Sequence, residues 1–233
     1  GGTAIFEACN SKYENVLVVG AEKMSGVDSM LNGRNIGLAG DRELDQKEGL
    51  IFPASYALIA QQHMRRYGTT MDDLALVALK NHENARLNPL AHFSYKDVTL
   101  EEIKSSQIVC SPLRLFDCSP ITDGAAAVVL TKKKQEKSVE VAGISQATDY
   151  ISLAQRKELT TFKAAKEAAE QAYKQAGVTA KKIHTAEVHD CFTIAELVAM
   201  EDVGFAEKGK AVEIVRAGET KLSGRLPINT DGG

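Results

Sequence analysis

A histidine and a cysteine two residues apart are the side chains of this chain best suited to do chemistry. They are His189 and Cys191, in the stretch Glu187-Val188-His189-Asp190-Cys191-Phe192-Thr193. An imidazole can hold or release a proton near neutral pH, and a thiol can act as a nucleophile or as an acid/base. Singly, each also has an ordinary structural reading: a satisfied histidine near a strand end, and a small buried hydrophobe. Sharing one loop is what favours catalysis. A metal site made of His184, His189 and Cys191 is disfavoured. His184 falls at the other end of the preceding strand, and no second His/Cys cluster completes a four-ligand set.

The flanking residues predict how that loop is held. Thr185 to Val188 alternates like a half-buried strand. Thr193 with Glu196 three residues on predicts a capping box, followed by Ile194, Leu197 and Val198 at helical spacing and by Gly204 as the stop. In an open α/β sheet, the loop leaving the carboxyl end of a strand is where ligands gather.

Other elements follow from the same rules. Gly1 to Ala8 reads as a helix opening on two glycines, which suits close approach of a ligand or backbone. The run Val16–Val19, ending at Gly20, predicts a buried parallel strand. Residues 22–48 have mixed polarity and several glycines, and read as an irregular excursion such as a lid or binding subdomain. Helices are predicted over Ser55–Tyr67, closed by Gly68, and over Asp72–Ala85, where Thr70 and Asp73 supply a cap. Ile108–Cys110 and Ala125–Leu130 read as strands. The charged run Lys132–Lys137 is the best candidate boundary. A second α/β unit then offers a strand at Val139–Ala142, an amphipathic helix over Phe162–Ala176 stopped by Gly177, and a last strand entering a glycine turn after Pro227.

Composition excludes several classes. With 233 residues the chain can form one large or two modest domains, and 44% apolar with 25% charged residues is ordinary for a soluble globular protein. A net charge of −3 gives no positive field for nucleic acid, and 6% aromatics without tryptophan argue against base-stacking platforms. No stretch is long and apolar enough to cross a bilayer, and no signal-peptide pattern opens the chain. Cys9, Cys110, Cys118 and Cys191 show no CxxC pairing and fit the reduced thiols of a cytoplasmic protein.

Several motifs taken together resemble the thiolase superfamily, and within it the sterol-carrier-protein-2-type and archaeal acetyl-CoA acetyltransferase branch. They are Gly1-Gly2-Thr3-Ala4-Ile5-Phe6-Glu7-Ala8, Lys80-Asn81-His82-Glu83-Asn84-Ala85 with Asn88-Pro89, and Asp117-Cys118-Ser119-Pro120-Ile121-Thr122-Asp123-Gly124-Ala125-Ala126-Ala127. His189-Asp190-Cys191-Phe192 and Asn229-Thr230-Asp231-Gly232-Gly233 complete the set, in family order over essentially the whole chain. The His-Asp-Cys-Phe form, where other thiolases carry Asn-Glu-Ala-Phe, selects the branch.

The resemblance implies an α/β thiolase fold, a layered α-β-α-β-α arrangement of two similar halves with an inserted loop domain, incomplete in this chain. Residues 1–135 would be the N-terminal half, with the CoA-covering loop domain at about 24–93, and 138–233 the first part of the C-terminal half. The implied activity is formation or cleavage of a carbon–carbon bond between acyl groups held as CoA thioesters, through a cysteine acyl-enzyme. His189 would help build an oxyanion hole for the enolate, and Cys191 would be the acid/base. Ser119 would lie near the pantetheine arm, Phe52 and Pro53 along the pantetheine tunnel, and Asn229 on the substrate side. CoA is then a substrate, no metal or bound cofactor is needed, and a homodimer or homotetramer is implied.

The family's nucleophilic cysteine precedes the Gly-Gly-Thr-Ala segment, and its second histidine and late glycine-rich loop follow the closing motif. The chain is therefore expected to be the middle of a longer protein. Cys9, about two turns along the first helix, is a packing residue rather than a substitute nucleophile. Two rival readings stay open. One is a non-catalytic scaffold or acyl-CoA-binding subunit working with a partner protein; the other is a ketoacyl-synthase-like condensing enzyme, which has no use for the Cys191 thiol.

Overall fold

The computed structural model describes residues 1–232. Its helices are α1 (Gly2–Cys9), α2 (Ser29–Gly37), α3 (Phe52–Tyr67), α4 (Met71–Ala85), α5 (Leu100–Ser105), α6 (Lys163–Ala176), α7 (Thr193–Asp202) and α8 (Ala211–Arg216). Its strands are β1 (Asn15–Glu22), β2 (Ile108–Cys110), β3 (Leu113–Arg114) and β4 (Gly124–Thr131).

Helix α7 is the centre around which the rest packs: every one of its ten residues is buried. Ile194, Leu197, Val198 and Met200 join Ile59, Leu74, Val77, Val212 and Ile228 in one apolar cluster contributed by α3, α4, α8 and the C-terminal segment. A helix enclosed on all sides should be apolar all round, yet α7 carries three acids. Each has fixed partners. Glu196 meets Lys80, Glu201 receives Ala211 N (3.2 Å) beside His63, and Asp202 pairs with Lys208 at 2.8 Å while accepting from Phe162 N. Unpaired, these carboxylates would be costly to bury.

The capping box predicted for α7 does not form. Phe192 is its N-cap, while the Thr193 hydroxyl donates to Asp117 Oδ1 at 2.8 Å and Glu196 turns to Lys80 and two asparagines. Tertiary partners outcompete the local cap. The cap of α4 forms as predicted: Thr70 Oγ1 accepts from Asp73 N (3.2 Å), and Asp73 Oδ2 accepts from Thr70 N (2.7 Å). Arg216 grips the same carboxylate through Nε (2.6 Å) and Nη2 (2.7 Å), fastening α8 to the start of α4. Helices α3 and α6 end on left-handed glycines, Gly68 and Gly177, as their sequences imply.

The strands depart further from expectation. β1 pairs antiparallel with β4 from Asn15↔Thr131 to Glu22↔Gly124, and β2 pairs antiparallel with β3. The buried parallel strand expected at Val16–Val19 is therefore corrected: Val18 turns inward, but Leu17 is 63% and Val19 59% exposed. A continuous β-branched run says "strand" without saying what covers it. Among the described residues Val139–Ala142 joins no ladder, and the strands expected at Thr185–Val188 and after Pro227 keep one parallel bridge, Ala186↔Ile228. The excursion over 22–48 is more ordered than its composition implies. It contains α2, capped by Asp28, and a π-turn over Arg42–Gln46, capped by Asp41. The Ser152 hydroxyl donates to buried Asp45 at 2.6 Å and ties this excursion to the second half.

Candidate active site

The loop carrying His189, Asp190 and Cys191 runs from the Ala186↔Ile228 bridge to the start of α7, and three segments hold it. From α4, Asn81 Nδ2 donates to Asp190 Oδ2 (3.0 Å) and to Glu196 Oε2 (2.9 Å). From the C-terminal segment, Asn229 Nδ2 donates to Glu196 Oε2 (2.9 Å), and its Oδ1 accepts from Val188 N (2.8 Å). From the segment after β3, Ser119 N donates to Cys191 O at 3.0 Å, beside an antiparallel bridge between Cys118 and Phe192. Lys80 completes the arrangement, with Nζ 2.9 Å from Glu196 Oε1 and donating to Ile228 O at 2.6 Å.

Asn229, expected on the substrate side, is held within the protein beside the loop. It is 1% exposed, and both ends of its amide are engaged inside the protein. Its φ of 53° lies in the left-handed region, which asparagine tolerates better than other non-glycine residues. Asn229 positions the loop.

Two cavities flank the loop. The larger, of about 520 Å³, is lined by Phe52, Tyr56, Phe162, Arg156, Val188 and His189, among others. Phe52 and Tyr56 are four residues apart on one face of α3, which puts both rings on the same wall. Pro53, expected with Phe52 along the pantetheine tunnel, follows it in the first turn of α3, where its fixed φ suits the helix start. The smaller cavity, of about 220 Å³, is lined by Asn81, His82, Phe116, Ser119, Asp190 and Gly232, among others. The structure thus brings Phe52 and His189 to one cavity, and Ser119 and Asp190 to another. Cys191 lines neither. It is half-buried.

Electrostatics follow from this placement. Burial pushes the Cys191 thiol up to about 11; the Tyr56 hydroxyl opposes that shift and the Asp190 carboxylate adds to it. Cys191 therefore carries its proton at neutral pH. Burial, with the nearby Glu196 charge, raises Asp190 to about 6, against the pull of Lys80. Cys118 is driven up to about 12 by burial and by Asp117. Among the described residues no group of three or more His, Cys, Asp or Glu side chains is arranged to hold a metal.

Sequence reasoning gave no site role to Tyr56, Lys80 or Asn81. The four-residue spacing of Phe52 and Tyr56 was the available signal. The link from Asn81 to Asp190 spans 109 positions and leaves no local trace.

The family described as thiolase N-terminal domain matches residues 1–134, and that described as thiolase C-terminal domain-like matches residues 145–233. An acetyl-CoA acetyltransferase of Methanothermobacter thermautotrophicus is 40% identical over 99% of this chain and 61% of its own length. Human sterol carrier protein 2 is 31% identical over 100% of the chain and 46% of its own length. The solved Ltp2-ChsH2(DUF35) aldolase superposes with a TM-score of 0.84 at 28% identity, over 100% of this chain and 64% of that one. The chain thus spans about half to three fifths of the curated relatives it matches. Mixed helices and strands, a His-Asp-Cys-Phe loop anchored ahead of a buried helix, and end-to-end similarity to these proteins lead to one conclusion: the chain belongs to the thiolase family.

Proposed function

We propose that the protein is an acyl-CoA-dependent thiolase, an acetyl-CoA acetyltransferase or 3-ketoacyl-CoA thiolase, that makes or breaks a carbon–carbon bond between acyl thioesters. The observation that carries this reading is the loop itself. His189 opens onto the large cavity, while Cys191, two residues on, holds its proton at neutral pH. In the thiolysis direction the Cys191 thiol gives its proton to the departing acyl-CoA carbanion; in the condensation direction the thiolate takes that proton from the attacking carbon. An N–H of His189 donates to the thioester oxygen as negative charge gathers there. Phe52 and Tyr56 supply an apolar wall against which an acyl or pantetheine chain can pack.

In this reading CoA and its thioesters are the small-molecule partners, and no metal or resident cofactor takes part. The halves divide at 135–138, and the protein works as a cytoplasmic homodimer or homotetramer. The name of the acetyltransferase 40% identical to this chain supports the activity. A second reading, a subunit that binds acyl-CoA for a partner protein, draws support from the two components in the name of the Ltp2-ChsH2(DUF35) aldolase.

The test is thiolysis of acetoacetyl-CoA by CoA, followed as acetyl-CoA formed. Cys191→Ala should lower turnover by orders of magnitude while leaving CoA affinity nearly intact. His189→Ala should lose about 10²–10³ in rate, the scale of one oxyanion donor. Wild-type turnover in Cys191→Ala would remove the acid/base role. No turnover in the unaltered protein, with CoA still bound, would favour the subunit reading.

A further inference from the structure

One side of the large cavity is closed by a turn that is braced from within. Between Tyr150 and Arg156 the chain makes one short 3₁₀ turn, Leu153–Gln155. Ser152 holds its start: the hydroxyl accepts from Ala154 N at 3.2 Å and donates to buried Asp45 at 2.6 Å. At the other end Arg156 folds back on the same turn, donating from Nε (3.1 Å) and Nη2 (2.9 Å) to Tyr150 O. The guanidinium is therefore fixed without being neutralised. Among the described residues it has no ion-pair partner, and its Nη1 group makes no hydrogen bond within the protein.

Arg156 is half-buried and is the only lysine or arginine lining this cavity, whose walls include Phe52, Tyr56, Ile59 and Phe162. The acids on the same lining carry hydrogen bonds of their own. Asp45 accepts from Ser152 and from Asp41 N, Asp149 from Tyr150 N, and Glu187 from Thr230. A preorganised cation with an open donor end thus shares one chamber with His189 of the reactive loop.

We propose that Arg156 is a specificity-determining residue that receives the terminal carboxylate of a dicarboxylic acyl group. The preferred thioesters are then acyl-CoAs whose chain ends in a carboxylate. The proposal rests on the cavity being the acyl-CoA site of the reaction proposed above. The thioester oxygen lies at His189, the methylenes run along the aromatic wall, and the carboxylate accepts from Nη1 and Nη2 together, which the planar fork favours. A chain ending in a methyl group would leave those donors without a partner in the cavity. The phosphates of CoA suit Arg156 less well. They stand a whole pantetheine arm from the thioester, whereas Arg156 shares a chamber with the residue that takes the thioester oxygen.

The test reads binding rather than turnover. Glutaryl-, adipyl- and pimeloyl-CoA are each set against the monocarboxylic ester of the same chain length, pentanoyl-, hexanoyl- and heptanoyl-CoA, by isothermal titration calorimetry. The readout is the ratio of the two dissociation constants in each pair, in which contacts to CoA itself and any general loosening of the fold cancel. In the unaltered protein the dicarboxylic ester should bind about 10–100-fold more tightly at the chain length that spans His189 to Arg156. The ratio should be smaller at the other lengths, and Arg156→Gln should bring it close to one. Ratios near one in the unaltered protein, a preference equal at all lengths, a ratio that survives Arg156→Gln, or no binding of any ester would each overturn the proposal. So would an equal loss of affinity for every ester in Arg156→Gln, the mark of a contact with the CoA phosphates. A protein inactive in thiolysis can still show the preference, and an active thiolase can lack it, so the two failures are separable.

Discussion

Glu196→Gln tests the buried charge behind the His189–Cys191 loop with the least change of shape. Lys80 is 2% exposed and Glu196 fully enclosed, and Lys80 Nζ stands 2.9 Å from Glu196 Oε1. The other carboxylate oxygen accepts from the amides of Asn81 and Asn229, both at 2.9 Å. A glutamine can keep those two bonds only by placing its oxygen toward the asparagines, which turns its NH₂ toward the Lys80 ammonium. The lysine is then a buried cation without its direct carboxylate partner, left with Ile228 O as hydrogen-bond acceptor and Asp190 as a more distant charge. Leaving one member of a buried pair uncompensated costs about 3–5 kcal/mol. For a chain of this size that is a fall of roughly 6–20 °C in melting temperature. Glu83→Gln is the control, because its partner Lys221, at 3.1 Å, is 52% exposed and Glu83 48% exposed; its loss should stay below about 1 kcal/mol. Adding Lys80→Met to Glu196→Gln should recover part of the stability, since neither position then carries a buried charge. Thermal melts by circular dichroism, with and without CoA, measure all four proteins. Equal melting temperatures for Glu196→Gln and Glu83→Gln would refute the claim that this pair fastens the loop.

Other outcomes follow from the same geometry. The folded-state pKa of Asp190 is raised to about 6, above about 3.9 in the unfolded chain. Folding therefore favours its protonated form, and that preference is lost as pH rises through 6. Asp190→Asn should gain up to about 3 kcal/mol over the unaltered protein above pH 7 and nothing below pH 4, measured by urea unfolding; a gain at pH 4 contradicts the sign. At Asn229, with φ of 53°, both glycine and alanine lose the amide contacts but only alanine carries backbone strain. Asn229→Gly should accordingly be more stable than Asn229→Ala by about 1 kcal/mol, and equal midpoints would rule this out. His63 is fully buried, with Nδ1 2.8 Å from Thr69 Oγ1 and Nε2 3.2 Å from Glu201 Oε2. His63→Ala should cost about 3–5 kcal/mol, yet leave CoA affinity unchanged in the folded fraction, because His63 lines neither cavity.

Local patterns survived the comparison with structure where the chain's own neighbours decide the outcome. The periodicity of α3, α4 and α6, the glycine stops at 68 and 177, and the Thr70–Asp73 cap all depend on residues within a few positions. The His189–Cys191 loop was visible because two reactive types lie close together in sequence. Whatever depends on distant partners was not. The run at Val16–Val19 marked a strand but not its direction or exposure, since β4 lies more than 100 residues away. Thr193 and Glu196 had the spacing of a cap, and were claimed instead by Asp117 from one side and Lys80 from another. Asn229, which opens the closing motif, was legible as a site residue, but its internal partners were not. Its actual partners, Glu196, Val188 and Asn84, come from three separate segments.

The far lining of the large cavity and the His189–Cys191 loop are fastened to different parts of the molecule. His189, Asp190 and Cys191 are pinned by α4, the Asn229 segment and the backbone of Ser119. Gly37, Ala39 and Phe52, which also line the cavity, belong to the excursion and the first turn of α3, and the buried Asp45–Ser152 bond anchors that excursion separately. Mutational drift in the excursion can therefore reshape what fits the cavity while the reactive loop keeps its geometry. Such a chassis lends itself to diversification: libraries confined to residues 37–52 should change substrate range far more readily than they abolish turnover.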